Sequence, residues 1–158
     1  MNIFLEDHKK LIADMIGEGV EFILIGGYAV NYHGYNRTTG DLDVWLKPDN
    51  ENKKSILRCL EKYDLEIESL QQINELDFSH ALVFSLGDEP YKTDFLTKVS
   101  GVSYVEANNE KVHFDHEGIK VPFINLNHLI LTKMSTGRGK DKVDIEKLQE
   151  VEAKRKKQ

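Results

Sequence analysis

The chain is expected to adopt an α/β fold, a small mixed β-sheet with helices packed on one side, in one domain over residues 1–158. Three observations predict it. Apolar runs of strand length at 22–25, 41–46, 81–86, 91–96, 111–115 and 119–123 are bounded by glycine, proline and asparagine turns. Between several of them, apolar residues recur at helical spacing. A length of 158 residues, 40% hydrophobic and 30% charged, suffices for a real core and is ordinary for a water-soluble protein.

Taken in order, Phe4, Leu5, Leu11, Ile12, Met15 and Ile16 make a helical stripe that stops at Gly17 and Gly19. Phe22 to Ile25 reads as a buried strand, and Gly27 to His33 as a short helix ended by Gly34. A loop from Tyr35 to Gly40 delivers the strand Asp41 to Leu46. Pro48-Asp49-Asn50 opens a helix to about Tyr63, with Ile56, Leu57 and Leu60 inward. Residues 64–80 give only a weak helical signal around Leu70 to Leu76. Ala81 to Leu86 and Tyr91 to Leu96 form a hairpin across Gly87-Asp88-Glu89-Pro90. Thr97 to Asn109 reads as irregular. Lys111 to Asp115 and Ile119 to Phe123 make a second hairpin around His116-Glu117-Gly118. Asn125 and Asn127 are candidate caps for the first of two C-terminal helices in 125–158, which end in a basic tail. There is no repeat, low-complexity tract or linker.

A net charge of −6 argues against broad, nonspecific nucleic-acid binding, which depends on neutralising phosphates. The run Lys154-Arg155-Lys156-Lys157 reads as a solvated helix end whose cations suit the negative pole of the dipole. No apolar run reaches the roughly 20 residues needed to span a bilayer, so no membrane partner is expected. The N-terminus carries acid where a signal peptide needs base and a long apolar stretch. Cys59 has no second cysteine to pair with and falls in an amphipathic helix, which fits a buried structural thiol and a cytoplasmic location.

The chemistry concentrates between Ile23 and Leu46. An apolar run ends in Gly26-Gly27, a short helix follows, and the next apolar run carries Asp41 and Asp43 at i, i+2. Alternate residues of a strand share a face, so the two carboxylates stand together while Leu42 and Val44 point to the core. Such a pair calls for a cation. Mg²⁺ suits it, because that ion uses one or two carboxylates and takes its other ligands from water and phosphate oxygens. A glycine pair before a helix lets backbone amides approach a phosphate.

Gly26-Gly27, a gap of thirteen residues, and Asp41-Leu42-Asp43 resemble the signature of the nucleotidyltransferase superfamily, the DNA polymerase beta-like group. Gly-Gly-Tyr-Ala-Val, Arg37-Thr38-Thr39 and the later Leu129-to-Ile145 pattern with Lys133, Arg138, Lys140, Asp141 and Asp144 are similar to a small bacterial branch related to abortive-infection toxins. The resemblance covers about Ile23 to Leu148. It implies metal-dependent transfer of a nucleotidyl group from a nucleoside triphosphate such as ATP to an acceptor hydroxyl, with release of pyrophosphate. It also implies two Mg²⁺ ions, replaceable by Mn²⁺, and a third carboxylate on a later strand, which Asp94 in Lys92-Thr93-Asp94-Phe95-Leu96 fits.

On that reading Asp41, Asp43 and Asp94 are catalytic and hold the metals, with Asp94 also taking the acceptor's proton. Gly26, Gly27, Arg37 and Lys133 bind the nucleotide. Asp77, Asp88, Glu89 and Asp115 compete for the third position, Asp88-Glu89 reading better as turn residues. Arg37 either grips phosphate or orients an aspartate through a salt bridge. Lys133 either reaches the triphosphate or is solvated. Arg138 and Lys140 are expected to pair with Asp141 and Asp144 in a structural ion network.

His113 and His116 lack the further ligands of a zinc pattern and suit a hairpin. Tyr28, Tyr32 and Tyr35 suit packing better than base stacking. Acceptors among related proteins include small molecules, protein hydroxyls and tRNA ends. With little material beyond the core fold, a second copy or a partner protein is expected to complete the acceptor pocket, in a toxin–antitoxin or defence setting. The competing reading is a catalytically silent nucleotide-binding or protein-interaction module.

Overall fold

The computed structural model describes residues 4–37, 39–137 and 139–157, with Lys140 described in its backbone alone. Six strands, β1 (Phe22–Ile25), β2 (Leu42–Leu46), β3 (Val83–Leu86), β4 (Thr93–Leu96), β5 (Val112–His116) and β6 (Ile119–Phe123), form one sheet in the order β3-β4-β2-β1-β6-β5. Pairing is mixed. β1 runs antiparallel to β2 and parallel to β6, β2 runs parallel to β4, and β3–β4 and β5–β6 are the two antiparallel hairpins. Around the sheet lie α1 (Glu6–Gly17), α2 (Gly26–Tyr32), α3 (Asn50–Leu60), α4 (Ile67–Glu75), α5 (Tyr104–Asn109), α6 (Leu126–Met134) and α7 (Gly139–Lys156). The mixed α/β class expected from the sequence is the class observed.

The centre of the sheet is dry. All four residues of β1 are buried, and so are Leu42, Val44, Trp45 and Leu46 of β2. That leaves Asp43 as the least buried residue of an otherwise apolar strand. The starts of α3 and α6 are fixed by side chains that satisfy orphan amides: Asp49 accepts from Asn52 N and Asn125 from His128 N. The segment expected to be irregular contains α5, opened by a capping box in which Ser103 and Glu106 satisfy each other's backbone amides. The Ser-x-x-Glu spacing was readable but sits before only a six-residue helix. Tyr104 of α5 then meets Trp45 edge-on at 5.5 Å, which seats α5 on the face that also carries Asp43.

Several expectations about single residues are met. Cys59 is fully buried, and burial pushes its thiol up to about 11, so it is an unreactive core group. Tyr28 is buried, with its hydroxyl against His8 Nδ1 at 2.7 Å, and Tyr32 stacks on Phe123. His113 and His116 lie in the β5–β6 hairpin. Among the described residues no helix is long and apolar enough to cross a membrane. In the basic tail Arg155 donates to His33 O at the end of α2, and Lys156 pairs with Glu152.

His33 is buried there, its Nε2 donating to Ile124 O at 2.7 Å. Burial lowers its pKa below the ordinary 6.5, against the hydrogen bond to Ile124, and the Arg155 charge lowers it further. The folded chain therefore holds His33 neutral where the unfolded chain takes up a proton, so stability falls as pH drops through 6.5. Urea unfolding at about pH 7.5 and about pH 5.5 is expected to lose more stability in the wild type than in His33→Gln, which keeps a donor but cannot titrate. Equal losses in the two proteins would mean that His33 is not the group responsible.

Candidate active site

The parallel pairing of β2 with β4 builds the site. Its register sets Asp43 opposite Asp94, and the β3–β4 register sets Ser85 opposite Asp94 in turn. Directly paired residues share a face, so Ile25, Asp43, Asp94 and Ser85 form one row across β1, β2, β4 and β3. Asp41 lies just before β2 on the same parity as Asp43. The three acids named from the sequence thus line one cleft of about 620 Å³, together with Gly26, Gly27, Arg37 and Lys133.

The glycines are required by close approach. Gly26 has φ +69°, and a Cβ there would run into the Asp43 carboxylate. A Cβ on Gly27 would run into Thr39 Oγ1. The Gly-Gly pair is therefore what lets the loop before Asp41 and the start of α2 close on each other beside the acids. Gly40 serves similarly, since its Cβ position lies 2.8 Å from Pro90 O.

Two further residues belong to the site that the sequence reading assigned to a turn or passed over. Glu89 lines the cleft, and its hydrogen bond with Asp41, together with desolvation and the Asp41 charge, holds its carboxyl above the ordinary range. Lys92 Nζ lies 3.7 Å from Asp94 Oδ1 and 3.8 Å from Glu89 Oε1. The Asp94 charge, with those of Asp41 and Glu89, raises the Lys92 pKa against desolvation. The missed signal was parity: Lys92 and Asp94 are i, i+2, the same spacing that joined Asp41 to Asp43. Ser85 Oγ donates to Asp94 Oδ1 at 2.5 Å. Of the competing acids, Asp77 is used elsewhere, held down to about 2 by Ser79 and Asn50, and Asp115 lies on β5.

Arg37 and Lys133 both line the cleft, and both carry ion pairs. Arg37 does form a salt bridge, but to Asp144: Nε lies 3.0 Å from Oδ1 and Nη2 donates to Oδ2 at 3.1 Å. Lys133 is 6% exposed, with Nζ 3.1 Å from Asp141 Oδ1 and 3.0 Å from Asp144 Oδ2. Thr136 Oγ1 also donates to Asp141. The physical reason is burial: Asp141 and Asp144 are at most 2% exposed and need cations within reach. The ion network expected around these two acids exists, but its described cations come from α6 and the 37–41 loop. Arg138 and the Lys140 side chain, expected in it from the sequence, lie outside the described residues, as does Thr38 of the Arg-Thr-Thr motif.

A divalent ion suits this donor set in one respect. Asp41 Oδ1 is buried with no hydrogen-bond donor among the described residues, a position that a cation satisfies. Among the described residues, however, no three carboxylate, histidine or cysteine side chains are grouped closely enough to hold a metal ion by themselves. Mg²⁺ does not need such a cage when phosphate oxygens complete its shell. The residues therefore fit an ion that arrives with a nucleotide.

Residues 4–158 match the family described as nucleotidyl transferase of unknown function (DUF2204). The chain belongs to that family. It is a nucleotidyltransferase by membership, and the expected superfamily is the one found. No curated protein sequence matches it. Among solved structures, it is similar to a candidate nucleotidyltransferase from Thermotoga maritima, with TM-score 0.61, 16% identity and 89% of each chain covered. It is also similar to the lincosamide antibiotic adenylyltransferase LnuA in its lincomycin-bound form, with TM-score 0.58, 17% identity, and 95% of this chain and 99% of that one covered. At these identities the two structures establish the fold.

Replacing Lys133 by Met leaves two buried carboxylates with one cation fewer. The expected cost is about 3–5 kcal/mol of unfolding free energy, the range for breaking a buried pair from one side. Urea unfolding followed by circular dichroism measures it. A loss below about 1 kcal/mol would put the network with solvent-screened surface pairs instead.

Proposed function

We propose that this protein transfers a nucleotidyl group from a nucleoside triphosphate, bound with Mg²⁺, to an acceptor hydroxyl and releases pyrophosphate. The observation that carries the reading is the opposition of Asp43 and Asp94 on paired strands, with Asp41 two residues upstream, in a cleft whose other wall is Gly26-Gly27. Asp41 and Asp43 are the residues to hold the ion. When bound, it supplies positive charge along the phosphates and draws electrons from the α-phosphorus.

The remaining roles fall to the chain. Gly26 and Gly27 bring backbone close to the phosphates because neither carries a side chain to block the approach. Asp94 takes the proton of the acceptor hydroxyl as the new oxygen–phosphorus bond forms and the bond to pyrophosphate breaks. Ser85 holds one oxygen of that carboxylate and so fixes its rotamer. Arg37 and Lys133, committed to Asp144 and Asp141, act by setting the loop before Asp41 against the C-terminal helices.

For the acceptor, the fold likeness to an adenylyltransferase of lincosamide antibiotics favours ATP as donor and a small-molecule hydroxyl as one acceptor class. A protein hydroxyl, with a second copy or a partner completing the pocket, is the class the toxin–antitoxin resemblance suggests. Incubation of the chain with labelled triphosphates and cell extract identifies which molecule acquires label.

Two substitutions test the site. Asp43→Asn is expected to lower transfer at least about a hundredfold, the scale of losing one electrostatic contact to the transition state. Its thermal melt should stay level or rise, because repulsion between neighbouring carboxylates is relieved. Activity above about a tenth of wild type would count against the carboxylate site. For Asp94→Ala, pyrophosphate release should collapse while calorimetry with a non-hydrolysable triphosphate still registers binding within a few-fold of wild type. Parallel loss of binding and turnover would remove Asp94 from the role of base.

A further inference from the structure

We propose that the ammonium of Lys92 stands in for a second metal ion, so that this site works with a single divalent cation, the one carried in by the triphosphate. The inference rests on the nucleotidyl-transfer reading above and departs from the two-ion expectation raised by the sequence.

Two-metal sites need carboxylates that bridge or share ions about 3.5–4 Å apart. Here the carboxylate that would face a second ion is already engaged. Asp94 Oδ1 accepts from Ser85 Oγ at 2.5 Å and faces Lys92 Nζ at 3.7 Å. The same ammonium is 3.8 Å from Glu89 Oε1. It therefore stands between two of the acids that a second cation would face.

Backbone geometry places Lys92 at this point of the sheet. Leu42 N donates to Lys92 O at 3.0 Å, which continues the β2–β4 pairing one step beyond Leu42–Thr93 and sets Lys92 beside Asp41. Lys92 and Asp41 thus form the row next to Asp94 and Asp43 on one face. Among the described residues, the other two cations lining the cleft, Arg37 and Lys133, are held by Asp144 and Asp141.

An ammonium is a compact point charge with three donors and no vacant orbital. It can hydrogen-bond the acceptor oxygen and offset the negative charge that develops as that oxygen's proton passes to Asp94. The oxygen then forms its bond to the α-phosphorus, and the bond to pyrophosphate breaks. Lys92 keeps its own protons throughout.

The test counts ions rather than turnovers. The full chain is titrated with Mn²⁺ at saturating non-hydrolysable triphosphate analogue, and bound ions are counted by electron paramagnetic resonance. Wild type and Lys92→Arg are expected to bind one ion per chain, and Lys92→Met two at millimolar Mn²⁺. Two ions in wild type, or one in a Lys92→Met protein whose circular dichroism and melt are unchanged, overturns the proposal while leaving nucleotidyl transfer intact. Should Lys92→Met fail to fold, Lys92→Gln and the wild-type count carry the same decision. Failure of wild type to bind the analogue at all would overturn the transfer reading, and this proposal with it.

Discussion

Four carboxyl groups, Asp41, Asp43, Glu89 and Asp94, share one cleft, and their mutual repulsion is the constraint around which the site is arranged. Acids at this density persist only where charge or protons offset them. The structure uses three devices. Asp41 beside Glu89 raises the Glu89 pKa, which favours the protonated acid. Lys92 sits between Glu89 and Asp94. Ser85 donates to Asp94. Glu89 and Lys92 line the cleft itself, so its surface is partly neutralised rather than bare charge.

A second, buried set of charges holds the first in place. Asp144 links Arg37 of the loop before Asp41 to Lys133 of α6, and Asp141 ties Lys133 to α7. The cations a reader would assign to phosphate binding thus have a prior engagement in connecting three distant stretches of chain. Buried pairs of this kind contribute little net stability compared with apolar packing, but they fix geometry when every member is satisfied. Here the geometry fixed is the approach of the loop carrying Asp41 to the helices that close the cleft.

Much of this was legible in the sequence. Period-two alternation placed Asp41 and Asp43 together, and the glycine pair marked a close approach. The hairpins were bounded by Gly87 and Gly118, which both take positive φ. What escaped followed from tertiary pairing. No local pattern says that β4 lies beside β2 in a register that opposes Asp43 and Asp94. Without that register Lys92 reads as a surface lysine and Glu89 as a turn residue. Lys133 reads as free because its partners come from another helix. The α5 helix was passed over because a capping box before so short a stretch competes weakly with the surrounding turns.

The order in which the network's members are synthesised has its own consequence. Arg37 and Lys133 emerge from the ribosome before Asp141 and Asp144. During that interval the sheet strands are all present, yet the cations of the cleft wall have no partners from α7. A nascent chain thus carries its acids and glycines before it carries the clasp that aligns them. With elongation at about 5–20 residues per second, the gap from Lys133 to Asp144 lasts on the order of a second. The last charges to arrive are those that tie Arg37 of the loop before Asp41 to Lys133 of α6, so this clasp closes only after every strand of the sheet has been made.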